Sequence, residues 1–504
     1  MEKTFFQDKV RGCWFGKCLA GAIGMPFEGV PYTLSPREED ICLRDVPNDD
    51  LELQLVWLDA VKQHRLGLTC RDLAAFWLNK IKHGCDEYSL AIHNLQHGIM
   101  PPASGWKNNF FANGMGATIR SEIWALLFPE RPDAAGYFAR QDAEVDHWGD
   151  GVRGEIFMAM AEAYACTRSE IEPALRFAFE QLGDDSVLKT ELGRVFARFD
   201  SGMTEADARR ELLLTLQREP NFTDCIMNLS FIVHALLYGG GDFLKTVFLT
   251  ISFGRDTDCT AASCGAFLGI AKGMEVFPAK WRSLVKDQLC LSGFVSCIPG
   301  VPLTLTDLIA QTIEWHDRLA GELPPEPYPA YTPYQPSGEL PEIDHQEWLI
   351  VDADEVDTAA LEEELRRTGK CPDGLRGNIV AFDTLFMDLS PYVKEYRTYK
   401  LYSFLTVNHT ATPPSAITLS VTADTGTRLF MDGERITQHY SRQKMLPSFH
   451  RPEGGGAFQM PLTHGSTHLV CWEFFFAHAP LRACIMFGNQ YQDHLDGFDF
   501  RIRA

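Results

Sequence analysis

Gly254-Arg255-Asp256-Thr257-Asp258-Cys259 places two carboxylates two residues apart, just before a small-residue helical run from Ala261 to Gly273. An Asp at a helix start accepts the free backbone N–H groups of the first turn, and the helix dipole favours acidic residues there. A second Asp two positions on exceeds what capping needs. Two hard oxygen donors this close suit Mg²⁺ or a pair of Mg²⁺ ions. The segment therefore reads either as a metal site or as an acidic helix cap. A second acidic constellation, Asn48-Asp49-Asp50 after Pro47, precedes Leu51, Leu53, Leu55, Val56 and Leu58, again a helix start with an apolar face behind it. Either pair alone fits a cap. Two pairs from distant parts of one chain could close around one metal cluster.

The elements that must position these residues are helical. Residues 154–166 form a small-residue helix carrying Ala159, Ala161, Ala163 and Ala165. Residues 206–217 place Leu212, Leu213 and Leu216 at helical spacing, and residues 226–237 are nearly all apolar, which predicts a buried central helix. Strand signals are sparse before residue 320, so residues 1–320 read as one all-α domain. Seven of the 28 prolines fall within residues 321–346, with Tyr328, Tyr331 and Tyr334 between them. That composition ends any helix and gives either a solvated linker or a strap pinned to a domain surface by its tyrosines.

After the connector the period changes. Ile417, Leu419, Val421 and Ala423 alternate with Thr418, Ser420 and Thr422, a half-buried strand. Arg428–Met431 reads as the next strand, and Asp432-Gly433 is a hairpin signal. Residues 467–476 and 481–487 read as further strands, and residues 352–367 as one short helix. Residues 347–504 are thus expected to form an antiparallel β-sandwich.

Composition bounds the partners. The chain has 504 residues and a formal charge of −22. That balance argues against a nucleic-acid partner, which needs basic patches, and against anionic membranes. None of the 14 cysteines forms a CxxC pair, so no structural zinc site is expected. No apolar run is long enough for a membrane span, and the first residues show no signal-peptide core. These features together suggest the cytoplasm.

With both acidic segments placed on helix starts, the N-terminal domain resembles the ADP-ribosylglycohydrolases, the family of dinitrogenase reductase-activating glycohydrolase, over about residues 8–320. Gly12-Cys13-Trp14-Phe15-Gly16-Lys17 and Ala22-Ile23-Gly24-Met25-Pro26-Phe27-Glu28-Gly29 look like its opening motif. Asn48-Asp49-Asp50 falls where the family has Thr-Asp-Asp, and His147-Trp148-Gly149-Asp150-Gly151 is similar to its mid-domain loop. Gly254-Arg255-Asp256-Thr257-Asp258-Cys259 falls on its Gly-x-Asp-Thr-Asp-Thr.

The resemblance implies an orthogonal bundle of helices holding two Mg²⁺ ions, which in turn hold the ribose hydroxyls of an ADP-ribosyl group. Carried across, the metal-binding set is Asn48, Asp49, Asp50, Asp256, Asp258 and Cys259, and the catalytic pair is Glu28 and Asp50. Cleaving a glycosidic bond requires a proton on the leaving group and an activated water. Glu28 lies in an apolar run where partial burial would raise its pKa; its plain reading is a surface Glu just past a helix. The substrate-binding candidates are Asn113, Gly114, His147, Gly149, Asp150, Gly151 and Arg255. Each also has a plain reading: His147 and Asp150 as structural groups, Arg255 as the partner of a neighbouring Asp, and Asn113-Gly114 as a turn.

The chain departs from the family pattern at three places. Asn48 replaces Thr, Cys259 replaces the final Thr, and Gly21 stands where an Asp is common. Thiol is a poor Mg²⁺ ligand. The expected activity is Mg²⁺-dependent cleavage of the glycosidic bond of a small-molecule or protein-linked ADP-ribosyl or related ribosyl substrate. A nucleoside or small-glycoside hydrolase is a near alternative. A degenerate site that binds a ribosyl or nucleotide ligand without turnover is the rival from another class. The C-terminal domain shows no catalytic constellation and reads as an accessory module.

Overall fold

The computed structural model describes residues 2–81, 84–216, 219, 221–394, 396–410, 413, 416–440 and 443–502, without the Phe294 side chain. Gln217, the last residue of one expected helix, lies outside them; that helix runs Glu205–Leu216. The chain divides into two compact units, Met1–Lys82 with Met100–Ser337, and His83–Ile99 with Gly338–Ala504.

The first unit is helical, with sixteen α-helices among the described residues. Its centre is the crossing of Lys3–Gly24 with Thr257–Lys272. A Cβ on Gly16 would lie 2.1 Å from the carbonyl oxygen of Gly265, and one on Gly24 would lie 2.1 Å from that of Thr257. The two backbones touch along the crossing, and any larger residue at these positions would separate them. Trp14 on the first of these helices donates its indole N–H to the Thr312 hydroxyl at 3.1 Å, tying in the Leu305–Ala320 helix. The expected buried helix is Cys225–Gly239, and the alanine-rich one is Asp150–Arg168.

Within the 321–346 connector, residues 321–337 group with the helical unit and contact it. Arg131 donates to the carbonyls of Pro324 (2.7 Å) and Glu326 (3.0 Å). The Tyr328 N–H donates to the Asp133 carboxylate at 2.8 Å, and its ring lies 4.6 Å from that of Tyr137. The Trp148 indole donates to the Tyr334 carbonyl at 3.0 Å, and the Arg140 and Arg153 guanidinium groups sit over the Tyr331 ring.

The second unit contains eleven strands among the described residues: β1 (His345–Asp352), β2 (Asn378–Asp383), β3 (Phe386–Asp388), β4 (Arg397–Val407), β5 (Ile417–Ala423), β6 (Thr427–Met431), β7 (Glu434–His439), β8 (Gly455–Met460), β9 (Thr467–Ala477), β10 (Arg482–Gly488) and β11 (Phe498–Arg501). One sheet runs β2-β1-β11-β4-β9-β6-β7 and the other β3-β10-β5-β8. Residues of both sheets share one core, including Trp348, Leu405 and Trp472 from the first and Leu419, Val421 and Ile485 from the second. The architecture is therefore a sandwich.

The expected antiparallel sandwich is what forms, with one parallel pairing inside it, between β1 and β11. β1 pairs with β4 only from Leu349 to Asp352; beyond that the two strands part, and β11 enters the gap with Phe500 opposite both Leu405 and Gln346. The opposite face of the larger sheet is also covered. Leu349 and Val351 of β1, Tyr402 of β4 and Cys471 of β9 pack on Leu361 and Leu365 of the Thr358–Thr368 helix. Strands buried on both faces lose the apolar–polar alternation that marks a one-sided strand, which is why β1 and β4 carry no clear period-2 signal.

Tight turns join the strands. Asp432 (φ 53°) and Gly433 (φ 89°) both adopt left-handed backbone, as a two-residue type I′ hairpin demands. The helix Asp86–Gln96 belongs to this unit although it interrupts the helical one in sequence. All 14 cysteines are free thiols. No helix among the described residues is long and apolar enough to cross a membrane.

Candidate metal centre

Two helix starts carry the acidic residues. Asn48 caps the Asp49–His64 helix, its side-chain oxygen accepting the Asp50 N–H at 2.8 Å. Capping is thus the role its amide oxygen performs here. Asp256 stands at the corresponding position before Thr257–Lys272 and makes no side-chain cap hydrogen bond. Capping alone does not account for it.

Local backbone fixes the approach of the segments. Gly254 (φ 69°) and Arg255 (φ 70°) are both left-handed. A Cβ on Gly254 would lie 2.5 Å from the Val30 carbonyl oxygen, so the position requires glycine both for its dihedral and for space. The turn pairs Arg255 with Val30: its N–H donates to the Val30 carbonyl at 2.7 Å, and the Gly29 N–H donates to the Arg255 carbonyl at 2.8 Å. The Thr257 hydroxyl donates to the Gly24 carbonyl at 2.9 Å. Residues 24–30 and 254–258 are therefore stitched together, and the acidic helix start lies beside the end of the first helix.

The carboxylates converge. Ligand atoms of Asp50, Asp258 and Cys259 all lie within 4.8 Å of one another. Asp50, Asp256 and Asp258 are buried, with exposures of 1%, 1% and 6%. Burial first, then Lys17, which opposes it, and then Asp49 and Glu122 set the Asp50 pKa, which rises to about 7. Burial and the fields of Asp256, Asp50, Glu28 and Asp49 push Asp258 far above the carboxylate range. The same surroundings keep Cys259 a neutral thiol.

Both carboxylate oxygens of Asp50, and Oδ1 of Asp258, are buried without a hydrogen-bond partner. A buried carboxylate left so is costly unless a cation or proton answers it. This donor set therefore fits a hard divalent cation: oxygens from two helices, close together, with acceptor capacity unused. Cys259 contributes nothing to that fit, since its sulfur is soft and protonated.

Beneath Asp50 lies a polar support that sequence reasoning missed. Lys17 is buried and forms an ion pair with Glu122 at 2.8 Å, while also donating to the Ile119 carbonyl at 2.6 Å. Glu122 accepts from Gln54 at 2.7 Å, and Gln54 in turn donates to the Asp50 carbonyl at 2.7 Å. The signal available was a single Lys inside Gly12–Leu19, an otherwise uncharged, close-packing stretch; a charge there has to be answered by a buried partner.

A cleft opens beside the cluster, lined by Lys17, Gly21, Asn48, Asp50, Leu284 and Lys286 among others. A Cβ on Gly21 would lie 3.5 Å from Asn48 Nδ2 and 3.9 Å from the Asp258 carbonyl oxygen. A carboxylate at position 21 would enter the cluster, and glycine leaves cleft instead. Asp49 is exposed. Glu28 is also exposed, which corrects the expected partial burial: it follows the short 3-10 turn Met25–Phe27 and points out of the fold's interior.

The mid-domain loop is built differently. His147 is fully buried, with its Nδ1 2.9 Å from Asp146. Asp146 is also held by Arg120, with contacts of 2.9 and 2.7 Å. Burial opposes charge on Asp146, but Arg120 and His147 outweigh it and bring its pKa down to about 2. Asp150 accepts from the Ser186 hydroxyl (2.8 Å) and the N–H groups of Val187 (2.9 Å) and Leu188 (3.2 Å), and pairs with Arg153 at 2.9 Å. Its carboxylate thus closes the start of the Val187–Asp200 helix.

The Asn113 side-chain oxygen accepts the Gly151 N–H at 3.2 Å, and Gly114 bridges to Asp224. Gly149 is left-handed (φ 61°), and a Cβ on it would lie 3.9 Å from Asn113 Oδ1. The structure thus brings Asn113, Gly114, His147, Gly149, Asp150 and Gly151 into one cluster. It brings Glu28, Asp49, Asp50, Asp256, Asp258 and Cys259 into another.

A helical unit with acidic residues converging from two helix starts defines the class. The ADP-ribosylglycohydrolase family model matches residues 2–316, and the chain belongs to that family. An uncharacterised protein of Archaeoglobus fulgidus is 26% identical over 307 residues, covering 56% of this chain and 93% of its own length. Among solved structures, an "ADP-ribosylglycohydrolase-related protein complex" is 18% identical with a TM-score of 0.46, covering 63% of this chain and 99% of that one. An anti-sigma factor domain-containing protein is 13% identical with a TM-score of 0.20, covering 34% of this chain and 53% of that one. The family assignment rests on the family model.

Proposed function

We propose that this protein is a Mg²⁺-dependent hydrolase that cleaves the glycosidic bond of an ADP-ribosyl or related ribosyl substrate. The observation that carries the reading is the buried carboxylate cluster, in which both Asp50 oxygens and Asp258 Oδ1 have no hydrogen-bond partner. Members of the family typically bind Mg²⁺. Asp50, Asp256 and Asp258, with Asp49 at the exposed edge, would hold one or two such ions. When bound, Mg²⁺ supplies Lewis-acid orientation of the substrate's vicinal hydroxyls.

The remaining work belongs to side chains of this chain. The cleft beside Asp50 receives the ribosyl group, and the Lys17–Glu122–Gln54 support holds the Asp50 helix start in place. Glu28 transfers a proton to the leaving atom as water adds at the anomeric carbon, and the proton shed by that water returns Glu28 to its acid form. Glu28 is exposed, and its field reaches Asp258 in the carboxylate cluster.

A second reading, ligand binding without turnover, is favoured by one observation. The position beside Asn48 and Asp258 that could carry another carboxylate is Gly21. Turnover separates the two. Release of ADP-ribose from ADP-ribosylated peptides should require Mg²⁺ and disappear in Asp50→Asn. Tight Mg²⁺-dependent binding of ADP-ribose with no release from any ribosyl substrate would establish the binding reading instead.

A further inference from the structure

The helix Asp86–Gln96 of the second unit carries His93 and, one turn on at its end, His97. This spacing puts both imidazoles on one helix face. They look into an open cavity bounded by the 342–346 and 494–501 segments of the same unit. Asp496 completes the group, and ligand atoms of His93, His97 and Asp496 all lie within 4.8 Å of one another.

Hydrogen bonds fix which nitrogen of each ring faces the group. His97 Nδ1 lies 2.8 Å from the His93 carbonyl. A carbonyl only accepts, so Nδ1 carries the proton and the Nε2 lone pair of the neutral ring is free to bind a cation. His93 Nε2 lies 3.1 Å from Asp344 Oδ1, and a carboxylate likewise fixes the proton there. In the neutral ring the His93 Nδ1 lone pair is then the inward one, and Nδ1 is buried with no hydrogen-bond partner on a side chain only 4% exposed.

Both inward nitrogens face the same carboxylate oxygen, Asp496 Oδ1, at 3.6 Å for His93 and 3.3 Å for His97. Three acceptor atoms that close require a positive charge between them. Two protons would serve, and so would one metal ion. A tetrahedral ion with bonds of about 2.0–2.2 Å separates its ligands by roughly 3.3–3.6 Å, which the two nitrogen–oxygen distances match. Asp344 behind His93 and the backbone carbonyl behind His97 are the outer partners that orient metal-binding imidazoles.

We propose that His93, His97 and Asp496 form a binding site for a divalent transition-metal ion of the zinc type, separate from the carboxylate cluster. Two imidazoles and one carboxylate select Zn²⁺ over Mg²⁺, which prefers all-oxygen sites. Three protein ligands leave a fourth position for water or a ligand from the cavity. The Asp496 side chain is 60% exposed and that of His97 30%, so an ion has a route in from solvent.

The test is calorimetric titration of Zn²⁺ into the full-length protein carrying Asp50→Asn and Asp258→Asn, which removes the other centre. Co²⁺ absorption serves as the coordination signature. One equivalent of Zn²⁺ should bind, and Co²⁺ should give a tetrahedral spectrum. His97→Ala and Asp496→Asn, both at partly exposed positions, should each weaken Zn²⁺ binding by more than the roughly 10–100-fold that loss of an outer partner costs. Asp344→Asn should fall within that 10–100-fold range. No Zn²⁺ binding by the starting protein would overturn the inference. So would binding unchanged by His97→Ala and Asp496→Asn, or binding lost instead in His345→Ala, whose ring lies in the separate Glu342–His345–Asp383 group.

Discussion

Two buried polar clusters in the helical unit share the same ingredients and use them in opposite ways. Around Arg120, Asp142 is answered by the guanidinium and the Trp124 indole and Asp146 by the guanidinium and His147, while Glu155 beside them is kept neutral by burial and the field of Asp142. Around Asp50 and Asp258, carboxylates press against one another, and three of their oxygens have no hydrogen-bond partner. A satisfied network specifies structure, and an unsatisfied one stores a demand for a ligand. On this comparison the His147 loop reads as framework and the two helix starts carry the proposed chemistry, although both carry motif resemblance in the sequence.

The largest test of that contrast is to remove one answer from the satisfied cluster. Arg120→Ala leaves Asp142 and Asp146 buried without their cation and should destabilise the fold by about 3–5 kcal/mol, read from denaturant unfolding. If it costs less than about 1 kcal/mol, the cluster is not the framework described.

Asp50→Asn should behave in the opposite sense. The Asp50 pKa is raised from its ordinary 3.8 to about 7. Between those values the folded protein holds a proton that the unfolded chain has lost, so metal-free stability falls as pH rises from about 4 to 7 and stays lowered above. The total is on the order of a few kcal/mol. Asp50→Asn removes that slope and should leave the metal-free protein more stable than the parent at neutral pH. Loss of stability there would show that Asp50 is paired.

A smaller effect divides the loop from the site. Asp150→Ala opens the start of the Val187–Asp200 helix and should cost about 1–2 kcal/mol without changing ADP-ribose affinity. An equal loss of affinity would return Asp150 to the substrate-binding set. Smallest of all, Cys259→Thr exchanges a neutral thiol for an oxygen donor and should tighten Mg²⁺ binding a fewfold. No change would place position 259 outside the coordination sphere.

Much of this was legible before the structure. Pairs of acids on helix starts, the nearly all-apolar helix around Leu229 and the alternating strand Ile417–Ala423 are local patterns, and local patterns survive in sequence. Family motifs added the order of the segments. What could not be read depends on contacts between distant residues. Asn48 was open between ligand and cap until the Asp50 N–H was seen to take its oxygen. Glu28 sits in an apolar run, yet the turn before it directs it to solvent.

Strands β1 and β4 hid because a helix and a second sheet bury both their faces. The parallel β11 pairing follows from a gap between strands about 50 residues apart in sequence. The Asp86–Gln96 helix has an ordinary helical pattern, and nothing in it shows which unit it joins.

The central claim is that the unanswered carboxylates hold a ribosyl ligand through a divalent cation. It is tested most directly by calorimetric titration of ADP-ribose into the full-length protein, first with Mg²⁺ and then with EDTA, beside Asp258→Asn. The account predicts saturable binding with Mg²⁺ that is lost in EDTA and lost in Asp258→Asn. Binding of equal strength in EDTA, or in Asp258→Asn, would contradict it.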